Sequence, residues 1–261
     1  MKSALTKKSP SPLLLVLHGF TGDAYDFSKI YDDASIRVAW RFVELPGHFH
    51  DERPVPSIDE QWREFVSRID QVMEEGKDRS SPVYFLAYSM GARLFLKALF
   101  ENRWKPAGLI LVGATGGLEL ESERSERLAH DRELAESIRE HGIEAFIDSW
   151  MQQPMIASQR GMTSPERIRR KKTLQPDALA EALVEFSSGN LPSVWHRLSE
   201  IDCPTLLVAG EKDSKYRSLH ERMLELIPGA EIQMVQGSGH APYLEQPAVF
   251  REILIPRVGM V

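Results

Sequence analysis

The sequence predicts an α/β protein, a mostly parallel sheet covered by helices on both faces and carrying a helical cap insertion. Three observations lead to this fold class. Six short aliphatic runs, each bounded by Gly, Pro or polar residues, alternate with stretches of helical periodicity, as strands buried on both faces do. The alternation stops from about Gly117 to Glu200, where the pattern is helical and rich in charge and no run reads as a strand. One run, Phe85-Leu86-Ala87-Tyr88, ends in Ser89-Met90-Gly91 and passes straight into a helical pattern. That is the signature of a sharp strand-to-helix turn that exposes a serine hydroxyl.

The elements follow in order. Leu13–Leu17 is the first strand and leads into the glycine-rich turn His18-Gly19-Phe20-Thr21-Gly22. Val38–Val43 is the second. In Ser57–Glu75 the apolar residues Ile58, Trp62, Phe65, Val66, Ile69, Val72 and Met73 recur at helical spacing. Ser57 and Glu60 form a capping box there, and Gly76 is expected to stop the helix. Val83–Ala87 is the third strand, continued by a helix over Arg93–Phe100, and Leu109–Val112 is the fourth. After the insertion, Thr205–Ala209 and Ile232–Val235 are the last two strands, with a helix over Leu219–Ile227 between them. Strands joined by helices wind a parallel sheet on both sides. Residues 1–116 and 201–261 are therefore expected to form the core, and residues 117–200 a cap over the C-terminal strand ends, where ligands bind in such sheets.

Composition narrows the function. With 42% hydrophobic and 27% charged residues over 261 positions, the chain has the make-up of a folded globule. A net charge of −6 argues against a general nucleic-acid binder, which needs a basic face. No apolar run approaches the roughly 20 residues that cross a bilayer, so no membrane partner is expected. The N-terminal residues carry charge without a signal-peptide core behind them. Cys203 is the single cysteine, which fits a reducing compartment. A cytoplasmic protein, monomeric or a small homo-oligomer, is the expectation.

The chemistry turns on Ser89. A serine hydroxyl reacts only when an imidazole takes its proton, and the imidazole works best when a carboxylate fixes its tautomer. Asp213 follows the fifth strand in Gly210-Glu211-Lys212-Asp213-Ser214-Lys215, and His240 follows the sixth in Gly237-Ser238-Gly239-His240. The chain order Ser, Asp, His after successive strands points to a catalytic triad. The backbone N–H groups of Phe20 and Met90 are placed to form an oxyanion hole. Other chemistries lack support. The turn after the first strand has no P-loop lysine, and His48-Phe49-His50-Asp51 has no further ligands to close a metal site. Cys203, beside Pro204 at a strand entrance, reads as packing. No metal and no cofactor is expected.

His18-Gly19-Phe20, Leu45-Pro46-Gly47-His48, Tyr88-Ser89-Met90-Gly91 and Gly239-His240 together resemble the α/β-hydrolase superfamily over essentially the whole chain. Tyr88-Ser89-Met90-Gly91-Ala92-Arg93, Trp150-Met151-Gln152-Gln153-Pro154 and Gly210-Glu211-Lys212-Asp213-Ser214-Lys215 resemble its MenH family, the 2-succinyl-6-hydroxy-2,4-cyclohexadiene-1-carboxylate synthases of menaquinone biosynthesis. The resemblance implies an α/β-hydrolase fold and a lyase that eliminates pyruvate from a polycarboxylated cyclohexene intermediate, with the histidine-activated serine serving as base. It also implies a small-molecule polycarboxylate substrate held by Arg93, Arg127 and, at the third basic position, Lys171, with Tyr88 and Trp150 as further pocket residues. Lys171 stands where the family has an arginine and is flanked by Arg169 and Arg170. Ala87, Phe49 and Tyr243 also depart from the family pattern, which leaves room for a changed substrate. The alternative is a serine hydrolase, a carboxylesterase or C–C hydrolase acting on small acidic or ester substrates.

Overall fold

The computed structural model describes residues 11–50, 54–159 and 161–258. Its centre is one sheet of six parallel strands: β1 (Leu13–Leu17), β2 (Ala39–Phe42), β3 (Val83–Tyr88), β4 (Gly108–Val112), β5 (Thr205–Gly210) and β6 (Glu231–Val235). They lie in the order β2-β1-β3-β4-β5-β6. The two-residue period of a strand sorts the side chains onto the two faces. Leu13, Leu15, Leu17, Phe85, Ala87, Leu109 and Leu111 enter one hydrophobic core, whereas Leu14, Val16, Leu86, Tyr88, Ile110 and Val112 enter the other. Every residue of β1, β4 and β5 is buried, while β2 and β6 at the sheet edges are partly open.

Helix boundaries moved more than strand boundaries. The helix Ile58–Arg79 begins at Ser57 with the expected capping box but runs through Gly76 and ends at left-handed Ser80. Gly76 is no stop signal here. A Cβ on it would lie 2.2 Å from Val83 Cγ2, so the glycine lets the helix approach β3. The elbow helix spans Met90–Asn102, and the helix Ser214–Leu226 starts five residues before the apolar pattern suggested because Asp213 caps it, accepting from Tyr216 N–H at 3.3 Å. A C-terminal helix, Pro247–Val258, was not predicted; it contains Pro256, which obscures the pattern.

Between β4 and β5 the described chain holds no strand. The helices Glu121–Trp150, kinked at Gly142 where φ is 78°, Pro165–Lys171 and Pro176–Glu185 fill it. Ala135, Ile138, Phe146, Ile147, Leu174, Leu179, Ala180 and Leu183 give this segment a core of its own, and Phe20 from the loop after β1 packs against it. Among the described residues no helix is long and apolar enough to cross a membrane.

Candidate active site

Ser89 ends β3 with φ 51° and ψ −111°, a strained conformation for a residue with a side chain. The turn is closed by its N–H donating to Val112 O at 2.9 Å. Gly91 makes the turn possible, because a Cβ there would sit 2.3 Å from His18 O. The hydroxyl that this turn presents lies 3.0 Å from His240 Nε2, and His240 Nδ1 lies 2.6 Å from Asp213 Oδ2. Burial pushes the Asp213 carboxyl up, but the hydrogen bond and charge of His240 and the Tyr216 N–H outweigh it and hold Asp213 below the usual carboxylate range. Asp213 therefore faces the imidazole as an anion.

The loop that carries His240 is fixed from behind. Gly239 N–H and Ala241 N–H both donate to the buried Glu245 carboxylate, at 2.7 and 3.0 Å. Ser158 in the β4–β5 segment donates to the same carboxylate at 3.1 Å. The Tyr216 ring packs against His240 at 4.5 Å between centroids, and Gly113, with φ 56°, leaves space where a Cβ would meet His240 Cε1 at 2.8 Å.

The turn after β1 is held by histidines. Thr21 N–H donates to His48 Nε2 at 3.1 Å, and His48 Nδ1 donates to Pro46 O at 2.9 Å. Burial, aided by the neighbouring His18, pushes His48 down to about 3, so it stays neutral and keeps an acceptor at Nε2. Both of its nitrogens are engaged by backbone, which accounts for His48 without a metal. For His18 burial works against the charge, yet Glu44, 2.7 Å from Nε2, raises its pKa above the ordinary value. Gly22 N–H closes the turn on Gly19 O at 2.9 Å. Among the described residues neither Phe20 N–H nor Met90 N–H has a protein acceptor.

A cavity opens above Ser89, and Phe20, Tyr88, Met90, Arg93, Arg127, Trp150 and His240 all line it. Phe20 stands edge-on to Trp150 at 5.2 Å, joining the core loop to the helical segment. Tyr88 is buried and meets His240 at 5.3 Å and Tyr243 at 5.0 Å between ring centroids. Arg93 Nε is enclosed and has no partner among the described residues, and burial lowers its pKa. Arg127 Nε donates to Asp131 Oδ2 at 2.8 Å, and Asp131 is wholly buried.

Lys171 is the exception among the expected pocket residues. Its ammonium donates to Thr21 O at 2.8 Å and to Asp26 Oδ2 at 3.3 Å in the loop after β1, and it does not line the cavity. Its neighbours do not replace it: Arg169 pairs with Glu166 and Arg170 with Asp23, each at 2.6 Å. The reason is local. Asp23 and Asp26 are nearly buried and need cations, and Arg167 joins them through an ion pair of 2.7 Å to Asp26. Sequence reasoning missed Met155, Ile156, Leu183 and Phe186 of the β4–β5 segment, and also two polar cavity residues, Lys215 and Tyr216. The last two follow Asp213 in the first turn of its helix, so proximity to the triad carboxylate was the available signal. Cys203 is buried beneath the sheet, where burial pushes its thiol up to about 11.

Comparison with known proteins agrees with this geometry. Residues 14–253 match the alpha/beta hydrolase family. A putative 2-succinyl-6-hydroxy-2,4-cyclohexadiene-1-carboxylate synthase of Bacillus subtilis is 30% identical, over 94% of this chain and 89% of the relative. The synthase of that name from Citrobacter koseri is 27% identical, over 91% and 90%. Among solved structures, MenH from S. aureus superimposes with a TM-score of 0.85 at 26% identity, covering 96% of this chain and 94% of its own. The chain is therefore an enzyme of the alpha/beta hydrolase family, in its MenH-like branch.

Proposed function

We propose that this enzyme eliminates pyruvate from a polycarboxylated cyclohexene to give 2-succinyl-6-hydroxy-2,4-cyclohexadiene-1-carboxylate, the product in the names of its relatives. The observation that carries the reading is the pairing of Ser89, His240 and Asp213 with two arginines, Arg93 and Arg127, in one cavity. An esterase pocket for neutral substrates gains nothing from a guanidinium whose enclosed Nε has no partner among the described residues, whereas a polyanion supplies that partner.

The steps follow from the geometry. In the product the succinyl carbonyl is attached to a ring double bond, so the proton lost is the one α to that carbonyl. His240 Nε2 takes the Ser89 proton, and the serine oxygen takes the proton from carbon. Asp213 holds the imidazole by Nδ1–H and stabilises the imidazolium that forms. The charge that develops on the carbonyl oxygen is met by the Phe20 and Met90 N–H groups. Electrons then move into the ring, the C–O bond to the enolpyruvyl group breaks with its electron pair going to oxygen, and the departing enolate takes up a proton on carbon and becomes pyruvate. The helical segment of residues 117–200 acts in this scheme as a cap, bringing Arg127 and Trp150 over the serine.

The test is direct. The purified enzyme, given the cyclohexene intermediate, is expected to release pyruvate, followed by coupled reduction with lactate dehydrogenase, and to turn over nitrophenyl esters far more slowly. Fast ester hydrolysis with no pyruvate above background would replace this reading with a serine hydrolase.

A further inference from the structure

Resting on the polycarboxylate reading, we propose that Lys215 is a specificity-determining residue, binding the succinyl carboxylate of the substrate where the cavity opens to a groove beneath the cap. Lys215 and Arg127 line both the cavity above Ser89 and that groove, so the two cations mark the junction. Arg127 is fastened to Asp131, and Arg222 in the groove is paired with Glu119. Lys215 makes no ion pair or hydrogen bond among the described residues; its Nζ lies 5.8 Å from the centre of the Tyr216 ring.

Lys215 is exposed, and its own helix offers its charge no partner. It sits in the first turn of the helix Ser214–Leu226, which holds no acidic residue, and a cation there opposes the helix dipole. A bound carboxylate reverses that penalty, since it faces both the ammonium and the helix terminus. The charge count agrees. The product carries two carboxylates and pyruvate a third, while the cavity offers Arg93, Arg127 and Lys215. The succinyl carboxylate is the one on a flexible arm, two methylenes beyond the carbonyl that must reach Phe20 and Met90. Past Lys215 the groove carries Glu123 and Glu126, which repel an anion and hold the arm at the junction. Lys215 thus supplies the third cation that the sequence had assigned to Lys171.

The experiment compares Lys215→Gln, Lys215→Arg and, as a charge-matched control, Arg217→Gln, whose residue lines neither cavity nor groove. Lys215→Gln is expected to raise KM about tenfold with kcat within about twofold and an unchanged melting temperature, the loss of one charged hydrogen bond at a partly solvated site. Lys215→Arg recovers most of the affinity, and Arg217→Gln leaves KM as it was. With a substrate analogue whose succinyl carboxylate is an amide, wild type and Lys215→Gln become equal. An unchanged KM in Lys215→Gln, or a tenfold penalty that persists on the amide, overturns the assignment. Succinate binding, read by tryptophan fluorescence, separates this from the proposed reaction. If wild type releases no pyruvate the reaction falls, but weaker succinate binding by Lys215→Gln still supports the subsite, and equal binding removes it.

Discussion

The sheet and the segment between β4 and β5 supply one cavity by different means. Ser89, Asp213 and His240 lie within five residues of the ends of β3, β5 and β6, so the register of a parallel sheet fixes their neighbourhood. Arg127, Trp150 and Lys171 stand on or beside helices, where a side chain's direction depends on which face packs. Arg127 and Trp150 came to the cavity, while Lys171 turned to Asp26 and Thr21. Position in the sequence thus places a side chain well at strand ends, but gives little more than its charge on the helical segment between β4 and β5.

The largest effect is expected at the sheet. Ser89→Ala is expected to lower kcat by about a thousandfold or more, leaving the residual rate that binding and the oxyanion hole provide. Ser89→Gly adds a sharper outcome. It removes the same hydroxyl but relieves the positive φ, so activity falls while unfolding free energy rises by about 1 kcal/mol. Pyruvate release and urea melts on both variants check this. A serine whose loss costs only a few-fold in rate would show that the strand end does not carry the chemistry.

Next in size is Arg93, which belongs to the elbow helix and so shares the sheet's fixed geometry. Arg93→Gln is expected to lower kcat/KM about a hundredfold, the cost of a buried charged hydrogen bond to a carboxylate. Since Nε has no partner among the described residues, the variant should not lose stability, and a fall in melting temperature without a fall in kcat/KM would make Arg93 structural.

What was legible in the sequence follows the same division. The four inner strands could be read because burial on both faces leaves an unbroken aliphatic run, and Ser89, Asp213, His240 and the turn that carries Phe20 could be read because a loop must follow each strand. The Gly76 stop could not be read correctly, because a glycine that ends a helix and one that lets a helix touch a strand look alike. The place of Lys171 outside the cavity could not be read because Asp26, 145 residues earlier in the chain, meets its ammonium only after folding. Glu245, which clasps both amides beside His240, had no signal beyond lying five residues after it.

On the helical segment between β4 and β5 the residue to change is Lys171. Lys171→Met leaves Asp26 with Arg167 alone and strips the Thr21 carbonyl of its donor, so unfolding free energy is expected to fall by about 2 kcal/mol. KM should stay within about threefold. A tenfold rise in KM with no change in stability would return Lys171 to the substrate and refute the placement described above.

The smallest effect concerns His220, a buried histidine behind the triad that accepts from Ala114 N–H at 2.9 Å. Burial, partly offset by Asp213, pushes it down to about 4. A histidine with a lowered pKa is neutral when folded, whereas the unfolded chain takes up a proton once pH falls below its ordinary value near 6.5. The unfolded state therefore binds more protons between pH 6.5 and about 4, and stability falls as pH falls through that window. His220→Gln keeps an acceptor for Ala114 but cannot be protonated. Its stability, measured by urea melts from pH 7 to 4.5, should decline less steeply than wild type by up to about 1.4 kcal/mol per pH unit. His48, held still lower, keeps a slope in both proteins, so the variant's curve flattens without becoming level. Parallel curves would mean that His220 is already protonated inside the fold, and that Ala114 N–H, beside the Gly113 that makes room for His240, has lost its acceptor.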